Sequence, residues 1–309
     1  MHISDQLHRF LFQSTPIRGN IVQLDNSFVQ SLQHHDFPPK LRQALGELMV
    51  AGTLLAATLK LQGGALILQV QGKGPLKLLV VECTANLGIR ATAKWEGDLS
   101  AMDFSEMVSD GHFVITLDPK DGGQSYQGIV PLEGGSVAEI LENYMQRSEQ
   151  IETRIWLSCD GKRAGGMLLQ KLPDTGGFSD AEINQPLDTL DTQAGDADAW
   201  NRINVLADTV TDEELLGLSA RTLLRRLFHE EDIRLFPEQD IRFQCTCSRE
   251  SVGNMLRMLG PDEVADILAE QHNIDINCDF CNTEYHFDQV DAEQLFSSEI
   301  VIAGNQIRH

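Results

Sequence analysis

The chain has 309 residues, 42% of them hydrophobic and 6% aromatic, with 46 acidic side chains against 24 Lys and Arg and a formal net charge of −22. That composition suits a globular protein with room for one ordinary domain and a smaller one. The charge excludes a broad phosphate-binding surface, so no nucleic-acid partner is expected, and it favours solubility over self-association.

No apolar run approaches the roughly 18 to 20 residues of a membrane span, so no membrane partner is expected. The start, Met1-His-Ile-Ser-Asp-Gln6, lacks the basic flank and apolar core of a signal peptide, and the expected location is cytoplasmic. Thiols stay reduced there, which makes close cysteine pairs candidates for metal binding or redox sensing more than for a disulfide framework.

Taken in order, the chain opens on a short polar segment and then an apolar, extended stretch from Gly19 to Leu24. After Pro38-Pro39 the spacing of Leu41, Ala44, Leu45, Leu48, Met49, Gly52, Leu55, Ala56 and Leu59 predicts a helix with a stripe of apolar and small residues. Strands are predicted over 65–70, 76–83 and 88–95, broken by Gly72-Lys-Gly-Pro75 and Asn86-Leu-Gly88. The Gly-Lys-Gly lacks the spacing of a phosphate loop and reads as a hairpin turn. More strands follow at 111–117 and 125–130 around the turn Asp118 to Gly123, then a helix over 136–146 and strands at 153–158 and 164–172. Cys83 and Cys159 fall singly in predicted strands and read as small buried apolar residues.

Beyond Pro173 the composition changes. Residues 174–198 are acidic and loop-like, as expected of a solvated linker. Thr211-Asp-Glu-Glu214 is a capping box that predicts a helix carrying Leu215, Leu216, Leu218, Leu223, Leu224, Leu227 and Phe228. That many apolar side chains must either be buried or form an adhesive surface when uncovered. Ser248 and Pro261 are expected to open two further helices, carrying Val252, Met255, Leu256 and Leu259, and Val264, Ile267 and Leu268.

The strongest chemical pattern is Cys245-Thr-Cys247, then thirty residues, then Cys278-Asp-Phe-Cys281. Two such pairs match a tetrahedral site for one zinc ion, with two turns each presenting two sulfurs about 2.3 Å from the metal. Four protein ligands leave no position open for substrate or water, so catalytic zinc is not expected, and His272 and His286 are surplus as ligands. A static staple for a small subdomain is one reading. The other is a labile site. Without metal, each cysteine can reach its sequence neighbour and oxidise, and short local cross-links close too little chain to replace the folding energy of the metal-closed loop. No Gly-x-Ser-x-Gly elbow, Walker loop or dinucleotide fingerprint is present to support an ordinary hydrolase, NTPase or dehydrogenase.

Cys245-Thr-Cys-Ser-Arg-Glu250, the spacer, Cys278-Asp-Phe-Cys281 and His229-Glu-Glu-Asp-Ile-Arg-Leu-Phe236 resemble the heat shock protein 33 family of redox-regulated holdase chaperones. Arg18-Gly19, Gln69 to Pro75, Tyr144 to Gln150 and Ala164 to Pro173 extend the likeness over nearly the whole chain, while the segment between Pro173 and Thr211 is longer and more acidic than the family leads one to expect. The resemblance implies a zinc-bound, reduced, monomeric resting state. It implies an oxidised homodimer with Cys245 joined to Cys247 and Cys278 to Cys281, zinc released and the linker unfolded. It also implies client binding without ATP and no enzymatic activity.

The expected organisation is α+β: residues 1–175 a mixed domain with antiparallel sheets for clients and dimerisation, 176–240 an acidic and then helical linker, and 241–309 a zinc-binding redox switch. Leu215, Leu216, Leu223, Leu224, Leu227 and Phe228 are the expected latch. Two alternatives stay open: a thiol-disulfide oxidoreductase using Cys278 and Cys281, and a constitutive zinc-ribbon interaction module.

Overall fold

The computed structural model describes residues 5–119, 123–172 and 198–304, the last stretch by backbone alone from 297 onward. The expected turn Asp118 to Gly123 and the acidic loop 174–198 lie in large part outside the described residues. The fold is α+β, and the chain divides into two compact units, Met1–Gln244 and Cys245–His309.

The first unit begins with strands β1 (Gln6–Phe12) and β2 (Ile17–Leu24) and helices α1 (Asn26–Leu32) and α2 (Pro39–Ala56). Strands β3 (Ala65–Gly72), β4 (Leu76–Thr84) and β5 (Gly88–Trp95) form hairpins, followed by a short helix α3 (Phe104–Val108) and strands β6 (Gly111–Asp118) and β7 (Tyr126–Pro131). Helix α4 (Val137–Tyr144) runs into a π turn, and β8 (Thr153–Cys159) and β9 (Ala164–Lys171) form the next hairpin. Helices α5 (Ala199–Ala207), α6 (Asp212–Gly217) and α7 (Ala220–Leu227) lead to the short strands β10 (Ile233–Leu235), β11 (Gln239–Asp240) and β12 (Arg242–Phe243).

These strands make two sheets, one in the order β10-β1-β2-β9-β8 with β11 also on β1, the other β12-β5-β4-β3-β6-β7. Helix α2 packs against strands of both sheets. Its sequence explains why. The expected stripe is in fact buried on nearly every side, from Leu41 and Ala44 through Leu48, Met49, Val50, Thr53 and Leu54, because an apolar surface is needed towards each sheet. Gly46 lets the helix approach β8: a Cβ there would lie 2.4 Å from the Cys159 sulfur. Cys159 and Cys83 are both buried, and burial pushes each thiol up to about 12, so neither offers a ready thiolate.

The sheet containing β1, β2, β9 and β8 is covered on both faces. Leu7, Val22, Leu24 and Leu168 face the core around α2, while Phe10, Phe12, Ile17, Ile21, Met167 and Leu169 face a second core built with α5, α6 and α7. A sheet buried on both sides shows no clean alternation of apolar and polar residues. This accounts for β1, a strand where a polar segment was expected.

The single helix expected from Thr211 to Phe228 is two helices. Thr211 caps α6 with the expected box, but Leu218 turns to extended backbone at φ −91°, ψ 142°, and Ser219 starts a new cap by accepting from the Thr222 amide. The break lets both short helices lie on the sheet. Gln23 of β2 fastens the joint, its Nε2 donating to the carbonyls of Leu215 at 3.0 Å and Leu218 at 2.7 Å.

One carboxyl close to the start of α6 carries a pH-dependent cost. Burial, and then the nearby Asp212 carboxylate of α6, push Glu47 of α2 up to about 7 from the ordinary value near 4.5. The folded state holds the proton that the unfolded chain gives up. Stability is therefore complete below about pH 4.5, falls as pH rises towards 7, and then stays at its lower level. Glu47→Gln is expected to remove that slope: the two proteins melt together near pH 4.5, and the variant melts higher at pH 8. Parallel melting profiles across that range would refute the assignment.

The second unit contains α8 (Arg249–Leu259), α9 (Pro261–Gln271), the hairpin of β13 (Ile274–Asn277) and β14 (Glu284–Phe287), and α10 (Gln289–Gly304). Ser248 and Pro261 open α8 and α9 as expected. Its described buried core is small: Leu256, Val264, Ile274, Phe287 and Ala292. Of the face expected on α8, only Leu256 is fully buried, and Met255 and Leu259 are 45% and 52% exposed.

Candidate metal centre

Two turns of the second unit carry the four cysteines. The first precedes α8: Cys247 is followed at once by Ser248, whose hydroxyl accepts from the Ser251 amide at 3.1 Å and sets the helix start. The second lies between β13 and β14. There the Asn282 amide donates to the Cys278 carbonyl at 2.8 Å, and the Cys278 amide donates to the Thr283 carbonyl at 2.9 Å. Asn282 supplies the left-handed residue at φ 55° that such a tight turn requires.

All four sulfurs lie within 4.8 Å of one another, and close approaches cross from one turn to the other: Cys245 to Cys278 at 3.6 Å and Cys247 to Cys281 at 3.4 Å. A tetrahedron with metal–sulfur distances of about 2.3 Å has edges of about 3.8 Å. The cysteines therefore fit one zinc ion. Neither histidine belongs to this group: His286 pairs with Asp275 across the hairpin, and His272 ends α9 in a left-handed conformation.

The electrostatics of the bare cluster favour one ionised sulfur. Partial burial pushes the Cys281 thiol up, but hydrogen bonds from the Thr283 hydroxyl and amide, and from Cys247 and Cys245, outweigh it and bring it down to about 6. Cys247 is raised by burial, with Cys281 and Cys278 adding to the rise and the Tyr285 hydroxyl opposing it. Cys278 is likewise raised by burial, against amide hydrogen bonds from Cys281 and Phe280. Cys281 is thus the sulfur most ready to ionise, beside Cys247 and Cys278, which hold their protons more tightly. A dication at the centre is what allows all four to ionise together.

Two residues at the cluster went unnoticed in the sequence. Tyr285 Oη donates to Cys247 Sγ at 3.1 Å, and Thr283 Oγ1 lies 3.1 Å from Cys281 Sγ. The available signal was their place just past the second cysteine pair, Thr283 at the end of the turn and Tyr285 on the strand leaving it.

The six residues expected as a latch sit in the first unit. Leu215, Leu223, Leu224, Leu227 and Phe228 are buried in the second core, and Leu216 is buried beside Cys159 and Asp160 at the β8–β9 turn. Phe228 meets Phe12 edge to face at 5.2 Å between ring centres. His229 and Glu230 beyond it are exposed, while Glu231 pairs with Arg202 of α5 at 3.0 Å. The chain then returns through β10, β11 and β12 to Gln244, whose amide donates to the Ile89 carbonyl at 3.0 Å, and the next residue is Cys245.

Among the described residues no helix is long and apolar enough to cross a membrane. A family model described as Hsp33 protein matches residues 5–288. A protein of Methylobacillus flagellatus named 33 kDa chaperonin is 74% identical over 309 residues, covering 100% of both chains. One of the same name from Chromobacterium violaceum is 46% identical over 311 residues, covering 100% of this chain and 99% of its own. The fold matches a crystal structure of the 33 kDa chaperonin, a heat shock protein 33 homolog, from Thermotoga maritima, with a TM-score of 0.76 over 96% of this chain and 99% of that one, at 20% identity. From this match of family model, sequence and fold, the chain belongs to the Hsp33 family of chaperones.

Proposed function

We propose that the protein is a cytoplasmic, ATP-independent holdase switched on by oxidation of its four-cysteine centre. The observation that carries this reading is the cluster itself: four partly exposed sulfurs within 4.8 Å, supplied as two pairs each close in sequence. Zinc, when bound, supplies the charge that keeps Cys245, Cys247, Cys278 and Cys281 deprotonated and ties their two turns together.

Peroxide oxidises each pair of sulfurs in two steps. One thiolate attacks a peroxide oxygen; the S–O bond forms, the O–O bond breaks, and hydroxide leaves. The neighbouring thiolate displaces hydroxide from the sulfenic acid and forms the disulfide, so two electrons pass from two sulfurs to one peroxide. Oxidising both pairs, Cys245 with Cys247 and Cys278 with Cys281, consumes two peroxides and leaves no thiolate to hold the metal. The resulting loops enclose one and two residues, against thirty between the pairs, so they add little to the fold.

Loss of order around Cys245 reaches the first unit along the chain, through β12 and β10 back to α7. When α6 and α7 lift, the apolar face of β1, β2 and β9 becomes a surface for unfolding clients and for a second copy of the chain. A resting monomer and an oxidised homodimer follow from this. The oxidoreductase alternative is weaker because Cys278 and Cys281 lie in a hairpin turn and not at a helix start, where a dithiol enzyme activates its attacking thiolate.

The test follows zinc release and suppression of client aggregation in one tube as peroxide is added, at two temperatures. Metal loss and protection rising together, and reversing with reductant and zinc, support the reading. Protection with zinc still bound, or zinc loss without protection, would overturn it.

A further inference from the structure

Tyr285 lies on β14 opposite Ile276 of β13, and its half-buried ring packs against the small core of the second unit. That packing and the strand register leave the ring little freedom. The hydroxyl is thereby delivered to a sulfur 38 residues earlier in the chain, Cys247 Sγ, at 3.1 Å. The phenol is the donor in this contact.

A donor bound to a thiolate takes up electron density that would otherwise attack an electrophile or be given to a metal. We propose that Tyr285 is a positioning residue of the metal centre, its hydroxyl anchoring Cys247 in the cluster and making that sulfur slower than it would otherwise be towards peroxide and other electrophiles. The inference rests on the metal-centre reading of the preceding subsection. Its consequence is that Cys247 attacks peroxide more slowly with the Tyr285 hydroxyl in place than without it.

Tyr285→Phe keeps the ring and its packing and removes only the donor. In the full-length protein loaded with Co²⁺, the sulfur-to-cobalt charge-transfer band is expected to move to lower energy. In the zinc-loaded protein treated with iodoacetamide and read residue by residue by mass spectrometry, the rate at Cys247 is expected to rise on the order of 3- to 10-fold relative to Cys245. Cys281, next to Thr283, should keep its rate. Replacing Tyr285 with 3-fluorotyrosine, a stronger donor, should move both readouts the other way.

An unchanged band and an unchanged Cys247 rate would overturn the proposal, and so would equal acceleration of all four cysteines, which indicates a loosened fold. If the unaltered protein gives no four-sulfur Co²⁺ spectrum at all, the metal-centre reading itself fails. That outcome is distinct from an unshifted normal spectrum.

Discussion

Cys278→Ser is expected to cost the second unit its metal and its cooperative fold while the first unit keeps its own melting transition. The second unit has little else to hold it: five described apolar side chains are buried in its core, and α8 leaves Met255, Met258 and Leu259 largely in solvent. Structural zinc contributes on the order of 10 to 16 kcal/mol to folding in small zinc peptides, far more than such a core can supply. Serine keeps the size of the side chain but offers a neutral hydroxyl where a thiolate is needed. Removing one of four ligands should weaken zinc binding by about three decades or more, roughly 4 kcal/mol. Competition with a chromophoric chelator measures that loss, and proteolysis followed by mass spectrometry shows which unit has opened. Cys83→Ala serves as the control, since that thiol is buried in the first unit and should leave the zinc content unchanged. One equivalent of zinc still held tightly by Cys278→Ser, with an unaltered melting curve, would contradict the four-thiolate assignment.

The four-cysteine cluster was legible in the sequence because its members come in pairs fixed by the covalent chain. Spacings of one and two residues within a pair allow little geometry other than a turn presenting two sulfurs. The hairpins β3–β4–β5 and β8–β9 were legible for a similar reason, as Gly72-Lys-Gly-Pro75 and Asp160-Gly161 mark local turns between apolar runs. What stayed hidden depends on partners distant in sequence. β1 pairs with β10 and β11 more than 220 residues away, and both faces of its sheet are covered, which removes the alternation that identifies a strand. Helix α5 follows directly on an acidic stretch and was folded into the expected linker. The split at Leu218 escaped notice because Leu215, Leu216, Leu223, Leu224 and Leu227 suit one helix as well as two. Ser219 with Thr222, a second cap inside the run, was the available cue. Tyr285 was marked only by its place just past the second cysteine pair, since its reach to Cys247 follows from the register that sets it opposite Ile276.

Phe228→Ala and Gly165→Ala are expected to uncover the apolar face of β1, β2 and β9 in reduced, zinc-loaded protein, and so to give protection of clients without oxidant. Helix length decides the outcome. α6 has 6 residues and α7 has 8, too short to persist in water on their own, so side-chain packing on the sheet decides whether they form. Phe228 is 2% exposed and closes the second core against Phe12, and truncating such a ring costs about 3 to 5 kcal/mol. That loss falls on the cover far more than on the sheet, which keeps its strand ladders and its packing on α2 through the opposite face. Gly165 tests the same cover by a separate route. A Cβ there would stand 2.6 Å from the Leu215 carbonyl oxygen, so even alanine pushes α6 outward and strains the bonds that Gln23 makes to Leu215 and Leu218. Binding of an apolar dye and suppression of client aggregation should rise together in both variants, with zinc content unchanged. Hydrogen exchange locates the change: amides of α6 and α7 lose protection while those of β2 and β9 keep it. Should β2 and β9 lose protection to the same extent, the helices and sheet form one cooperative block, and a removable cover is ruled out. Should the dye bind without any protection of clients, the exposed face is not the one that captures them.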